Sequence, residues 1–185
     1  MGLKNTKTEE NLRKALAGES IARNKYTYFA EIARKNGDTE VADAFEQMAR
    51  NEMMHAKFWF EQLYGKGTDT VSCLMQAARG EFEEWHGMYP AFAKQAREDG
   101  LEDLAVMFEK VAAIERSHEN RFMALMAQMA SKGKQETAPA VEQQKEKKLK
   151  DGYRCQFCGA VFEDRPDVCN VCGAIGSFEA TEYYE

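Results

Sequence analysis

The chain has 185 residues, 44% of them hydrophobic and 30% charged, and a formal charge of −6. These values describe an ordinary globular protein of one or two domains and exclude a fibrous, wholly disordered or membrane-spanning chain, since no apolar run approaches the roughly 18 residues a membrane helix needs. The acidic balance argues against general affinity for nucleic acid or anionic lipid, because phosphate contacts need clustered Lys and Arg. Met1 to Asn5 shows no apolar stretch after its charges, so the expected location is cytoplasmic. In a reducing compartment the five cysteines read as metal ligands or free thiols rather than disulfides.

Thr6 and Glu9 form a capping-box pattern, and apolar residues recur at helical spacing from Leu12 to Ala33 before Asn36-Gly37 stops the first helix. Asp38 or Thr39 can cap a second helix ending near Tyr64, ahead of Gly65-Lys66-Gly67. A third helix is expected from Asp69 or Thr70 to Asp99-Gly100, and a fourth from Leu101 to about Ala130. Four such long helices predict an all-α four-helix bundle over residues 1–130. Residues 131–150, rich in Lys and Glu, read as a polar linker. Residues 151–185 switch to short aromatic and cysteine-rich stretches, too short a segment to build a core without a metal or disulfide.

Shifting the chain by 63 residues aligns Tyr26–His55 with Tyr89–His118 and brings twelve identical residues together in thirty positions. The bundle therefore reads as a duplicated helix pair. Packing accounts for repeated Phe, Ala and Gly, but not for Glu-x-x-His in each half: Glu52 with His55 and Glu115 with His118. Residues three apart share a helix face and can offer an oxygen and a nitrogen to one metal. Carboxylate-bridged dimetal bundles add a single Glu from each remaining helix, which here are Glu19 and Glu81. Glu81 precedes Tyr89 by eight positions where Glu19 precedes Tyr26 by seven, so a π-bulge is expected between Glu81 and Tyr89. Glu84, one turn beyond Glu81, points toward the same pocket and breaks the symmetry. His86 is expected to be a surface or packing residue.

Cys155-x-x-Cys158-Gly159 and Cys169-x-x-Cys172-Gly173 form two knuckles ten residues apart, a four-thiolate signature that Fe and Zn both accept. Tyr153, Phe157, Phe162 and Phe178 are expected around that metal, as shield or simply as core. Cys73 has no partner motif and is expected to be a buried helix residue.

These motifs, in this order from Glu19 to Cys172, resemble the rubrerythrins, in which a ferritin-like four-helix domain precedes a small β-rich rubredoxin-like domain. The resemblance implies a non-haem di-iron peroxidase that reduces hydrogen peroxide to water in oxidative stress protection. It implies two Fe ions bridged by Glu52 and Glu115, with Glu19, Glu81, Glu84, His55 and His118 as terminal ligands. It further implies exchange of Glu84 with His55 as the iron changes oxidation state, which makes these two the catalytic residues. A third Fe is implied on Cys155, Cys158, Cys169 and Cys172. Asn170 stands where rubredoxin knuckles usually carry Pro, which favours Zn somewhat more. An electron-donor reductase or rubredoxin, and a head-to-tail homodimer or higher homo-oligomer, are the implied partners. No nucleic acid or membrane is expected. The rival readings are an oxygen-reducing ferroxidase, which needs no electron-input tail, and a non-enzymatic zinc-ribbon interaction protein, against which the repeated Glu-x-x-His stands.

Overall fold

The structure, a computed structural model, describes residues 2–66, 69–132 and 149–184. Most of the expected polar linker over 131–150 lies outside the described residues. The chain divides into two compact units, residues 1–68 and 69–185.

The first unit is a helical hairpin of α1 (Lys7–Asn36) and α2 (Thr39–Tyr64). The Thr6 hydroxyl accepts from the Glu9 N–H at 3.1 Å, while the Glu9 carboxylate reaches the N–H of Asn5 at 2.7 Å rather than that of Thr6. Gly37, at φ +87°, turns the chain out of α1, and the Asp38 N–H closes the turn on the Ala33 carbonyl at 2.9 Å. Asp38 stands at the start of α2 without a side-chain capping bond. The residues buried in this hairpin are all alanines: Ala30, Ala33, Ala42 and Ala49. Small side chains let two helices approach closely, but they bury little apolar area.

The second unit opens with α3 (Thr70–Glu83), capped by the Asp69 carboxylate accepting from the Ser72 N–H at 2.9 Å. A π-helical turn over Glu84–Met88 follows, and α4 (Tyr89–Glu98) completes the third long helix. The expected bulge is therefore present, and Pro90 falls at the start of α4, where its missing N–H costs least. After Gly100, at φ +77°, α5 (Glu102–Lys132) returns along α3 and α4. The tail forms an antiparallel sheet in the order β2-β1-β3, from β1 (Leu149–Cys155), β2 (Val161–Phe162) and β3 (Phe178–Tyr184).

The duplication extends to individual contacts. Phe29 meets Phe45 at 5.5 Å between ring centroids and Phe92 meets Phe108 at 5.6 Å. Arg34 pairs with Glu46 at 2.6 Å and Arg97 with Glu109 at 2.7 Å. The architecture is mostly helical with a small C-terminal sheet, as the sequence predicts.

Two residues depart from expectation. Cys73 is exposed, because the buried stripe of α3 runs through Ala78, five positions and about 140° further round the helix. Phe157 is 74% exposed at the tip of its knuckle. Tyr153, Phe162 and Phe178 do pack around the cysteines. His86 is exposed and stacks on Phe82 at 4.8 Å, a surface packing role. Among the described residues no helix is long and apolar enough to cross a membrane.

Candidate metal centres

The two hairpins each gather a carboxylate–carboxylate–imidazole trio whose ligand atoms lie within 4.8 Å of one another. In the first unit, Glu19 projects from α1 and Glu52 and His55 from α2. His55 Nδ1 lies 2.9 Å from Glu52 Oε2 and 4.0 Å from Glu19 Oε2. In the second, Glu81 comes from α3 and Glu115 and His118 from α5. His118 Nδ1 lies 2.7 Å from Glu115 Oε2 and 3.8 Å from Glu81 Oε1. Each trio follows from helix geometry, since the three-residue spacing stacks Glu and His on one face and the antiparallel neighbour supplies the second Glu at the same level.

Electrostatics show what the second trio lacks. Burial raises the Glu81 carboxyl to about 7, with the hydrogen bond to Glu115 and the charges of Glu115 and Glu84 adding to it. Glu84 is raised by burial and by Glu115, while His118 opposes the shift, which places it electrically in the same pocket. Burial raises the Tyr89 hydroxyl too, with Glu84, Glu115 and Glu81 contributing after it. Two carboxylates and a phenol whose ionisation is opposed by burial and by neighbouring negative charge form a donor set suited to a cation of charge two or more.

The tail cysteines form the third cluster. Cys155 Sγ lies 3.7 Å from Cys172 Sγ and Cys158 Sγ 3.6 Å from Cys169 Sγ. A tetrahedral thiolate site with bonds of about 2.3 Å has edges of about 3.8 Å, so the four sulfurs already fit a metal. The knuckles share one backbone pattern. Cys155 N–H donates to the Ala160 carbonyl and Cys169 N–H to that of Ala174, both at 2.8 Å, while Gly159 and Gly173 donate back to Cys155 and Cys169, both at 2.9 Å. Their φ angles of +78° and +75° explain glycine at both places. Burial and the neighbouring thiols push Cys158 up to about 12. Burial also opposes ionisation of Cys169, but backbone N–H groups of Cys172 and Val171 prevail and bring it to about 7. Cys169 forms a thiolate readily, while Cys158 and Cys172 resist until a cation compensates the charge.

The tail rests on the helix that carries the second trio. Ile114 of α5 belongs to the buried core of Cys155, Ala160, Cys169 and Phe178, and Lys110 Nζ donates to the Asn170 carbonyl at 3.3 Å. Gly159 approaches His118 so closely that a Cβ there would stand 2.6 Å from Nε2. The imidazole thus faces the carboxylates through Nδ1 and the first cysteine knuckle through Nε2. Sequence reasoning found every cluster member but neither this contact nor Ile114, because a pairing some forty residues apart leaves no local pattern. Within the single chain the tail already meets the helix that carries His118.

Two carboxylate–imidazole trios on long helices and a four-thiolate knuckle site define a helical metalloprotein with two kinds of iron-compatible centre. The rubrerythrin family profile matches residues 10–72 and 72–153, and the chain belongs to that family. It is 38% identical to rubrerythrin-1 of Clostridium acetobutylicum, across 92% of this chain and 91% of that protein. It is 36% identical to the rubrerythrin of Porphyromonas gingivalis, across 92% of this chain and 87% of that one. A solved structure of fully reduced, all-ferrous nigerythrin is 27% identical, covering 97% of this chain and 91% of its own at a TM-score of 0.40. Family and donor sets together make this an iron-handling oxidoreductase, with ligands for a carboxylate di-iron centre and for one iron among four cysteines.

Proposed function

We propose that the protein reduces hydrogen peroxide to water at a di-iron centre supplied with electrons through the tail. The observation that carries this reading is the approach of Gly159 to His118: an electron-input module lies directly against a ligand of the helical centre, which a ferroxidase or a structural zinc ribbon does not need. The domains in this reading are a di-iron domain over 1–130, a linker over 131–150 and an iron–cysteine domain over 151–185.

In the di-iron reading the two trios serve one metal pair. Glu19, Glu52, His55, Glu81, Glu115 and His118 would hold that pair, Glu52 and Glu115 as the shared ligands and the others as terminal ones, with Glu84 the carboxylate that would exchange with His55. Iron held there would supply electrons and Lewis acidity for cleaving an O–O bond, and iron among the four cysteines would supply single electrons. The chain's residues do the rest. Glu115 orients the His118 ring through Nδ1 and leaves Nε2 turned to the knuckle. Tyr89, its hydroxyl held protonated by burial and by the charges of Glu84, Glu115 and Glu81, is a candidate proton donor for that group. An electron-donor reductase or rubredoxin, a homodimer and a cytoplasmic setting complete the proposal.

The test is peroxide turnover by the iron-loaded chain against its Glu84→Ala variant. The wild type should consume peroxide much faster than oxygen when reduced, and the variant should keep iron but lose about tenfold or more in turnover. Faster reaction with oxygen than with peroxide would instead support the ferroxidase reading.

A further inference from the structure

We propose that the cavity between α5 and the tail sheet binds a small organic phosphate of mononucleotide size, held by Arg121 and Arg154. The site lies within the second compact unit, apart from the three metal clusters, and does not depend on the peroxide reading. Arg121 comes from α5 and Arg154 from β1, and both line one cavity of about 400 Å³. Sites for small molecules occupy about 300–1,000 Å³. Inorganic phosphate alone would leave most of this space unfilled, since it displaces only a few waters of about 30 Å³ each.

The two arginines are the exceptions in this chain. Arg13, Arg34, Arg79 and Arg97 pair with carboxylates, Arg165 donates to the Gly176 carbonyl, and Arg116 lies 5.3 Å over the Trp85 ring. Among the described residues, Arg121 and Arg154 have neither an ion pair nor a side-chain hydrogen bond, and each stands in the other's field. Burial first and then the charge of Arg121 lower the Arg154 guanidinium from its ordinary value, and Glu179, opposite it on β3, resists that shift without closing an ion pair. Two like charges brought together from distant parts of the chain cost stability unless an anion compensates them. With 31 acidic residues in the chain, carboxylates to do so are plentiful, so their absence here leaves the place to a ligand.

The rest of the lining says which anion fits. From α5, Ser117, Asn120, Arg121, Leu125 and Gln128 form one helical stripe along the cavity. One guanidinium fork takes up both oxygens of a carboxylate. A second arginine, a hydroxyl and two amides call for more acceptors, which a phosphate monoester supplies with three oxygens and a charge of about −1.5 to −2. Leu125, Val161 and Tyr183 add apolar surface for an organic body. Tyr183 packs against Gly152, where a Cβ would stand 2.8 Å from its Cε1. Glu182 borders the cavity too; it offers acceptors to a ligand hydroxyl, while its charge disfavours a second phosphate. Arg121 stands one turn beyond His118 and Arg154 next to Cys155, so a ligand held by both ties the tail to the helix that carries the second trio.

The experiment is isothermal titration of the full chain, its four-cysteine metal loaded, with AMP and UMP as probes. At least one of the two should bind at a single site with a Kd below about 1 mM. Adenosine and inorganic phosphate should each bind about tenfold or more weakly than the mononucleotide. Arg121→Gln and Arg154→Gln should each weaken the mononucleotide by about tenfold or more. Arg165→Gln, which removes the same charge elsewhere in the tail, should leave the affinity unchanged. The proposal is overturned if neither mononucleotide binds by about 1 mM, if inorganic phosphate binds as tightly, or if Arg165→Gln weakens binding as much as the other two. Arg121 is exposed on α5, so its variant decides the matter should Arg154→Gln lose the four-cysteine metal.

Discussion

Glu81 shows how a single residue records the cation its site is built for. Its carboxyl is raised to about 7, by burial first and then by Glu115 and Glu84. Without metal, the folded state therefore binds a proton more tightly than the unfolded chain, whose carboxyl titrates near the ordinary 4.5. Stability of the metal-free protein should fall as pH rises from about 4.5 to about 7 and then level off. Metal must displace that proton, so affinity at the Glu81–Glu115–His118 trio should climb up to about tenfold per pH unit until neutrality and flatten above it. Ferrous ion titrations between pH 5.5 and 8, with thermal unfolding of the metal-free chain alongside, measure both trends. PH-independent affinity would remove Glu81 from the ligand set.

At the scale of elements, the π turn and the extra carboxylate belong together. The turn over Glu84–Met88 begins at Glu84 itself, whereas the matching stretch of α1 is uninterrupted and carries Ala22 at the equivalent place. Deleting Gly87, whose Cα faces open space, should restore the seven-residue spacing found between Glu19 and Tyr26 and an unbroken α-helix. The α3–α5 trio should survive, because the first hairpin forms its own trio at that spacing, but Glu84 should lose its aim. We expect helical content and iron loading to persist while peroxide turnover falls about tenfold or more, as for Glu84→Ala. Circular dichroism, metal analysis and turnover decide this, and full activity would make the bulge a tolerated insertion only. The bulge was legible in the sequence because the repeat supplied an internal ruler, just as the Cys-x-x-Cys pairs announced their cluster through local spacing. Cys73 was misjudged because apolar character is a poor guide to which side of an amphipathic helix a lone thiol occupies. Phe157 was misjudged because its position at a knuckle tip is set by the backbone turn.

At the scale of the whole molecule, the functional reading depends on the tail meeting α5 in one chain, and the two knuckle glycines isolate that contact. Gly159 and Gly173 occupy matching places with nearly equal backbones, at φ +78° and +75°. A Cβ at Gly173 meets nothing within 4 Å, while one at Gly159 meets His118 Nε2 at 2.6 Å and Ile114 Cγ2 at 3.5 Å. Alanine at either place carries the same left-handed backbone cost, about 1–2 kcal/mol. Only Gly159→Ala adds the collision. His118 cannot swing aside without loosening the 2.7 Å contact between its Nδ1 and Glu115, so the tail must give way. Both variants should therefore keep the four-cysteine metal and lose similar tail stability. Gly159→Ala alone should slow reduction of the helical iron by the tail iron, by about tenfold or more in single-turnover stopped-flow measurements. If Gly173→Ala slows that step equally, the effect belongs to knuckle strain, and electrons do not depend on the approach to His118.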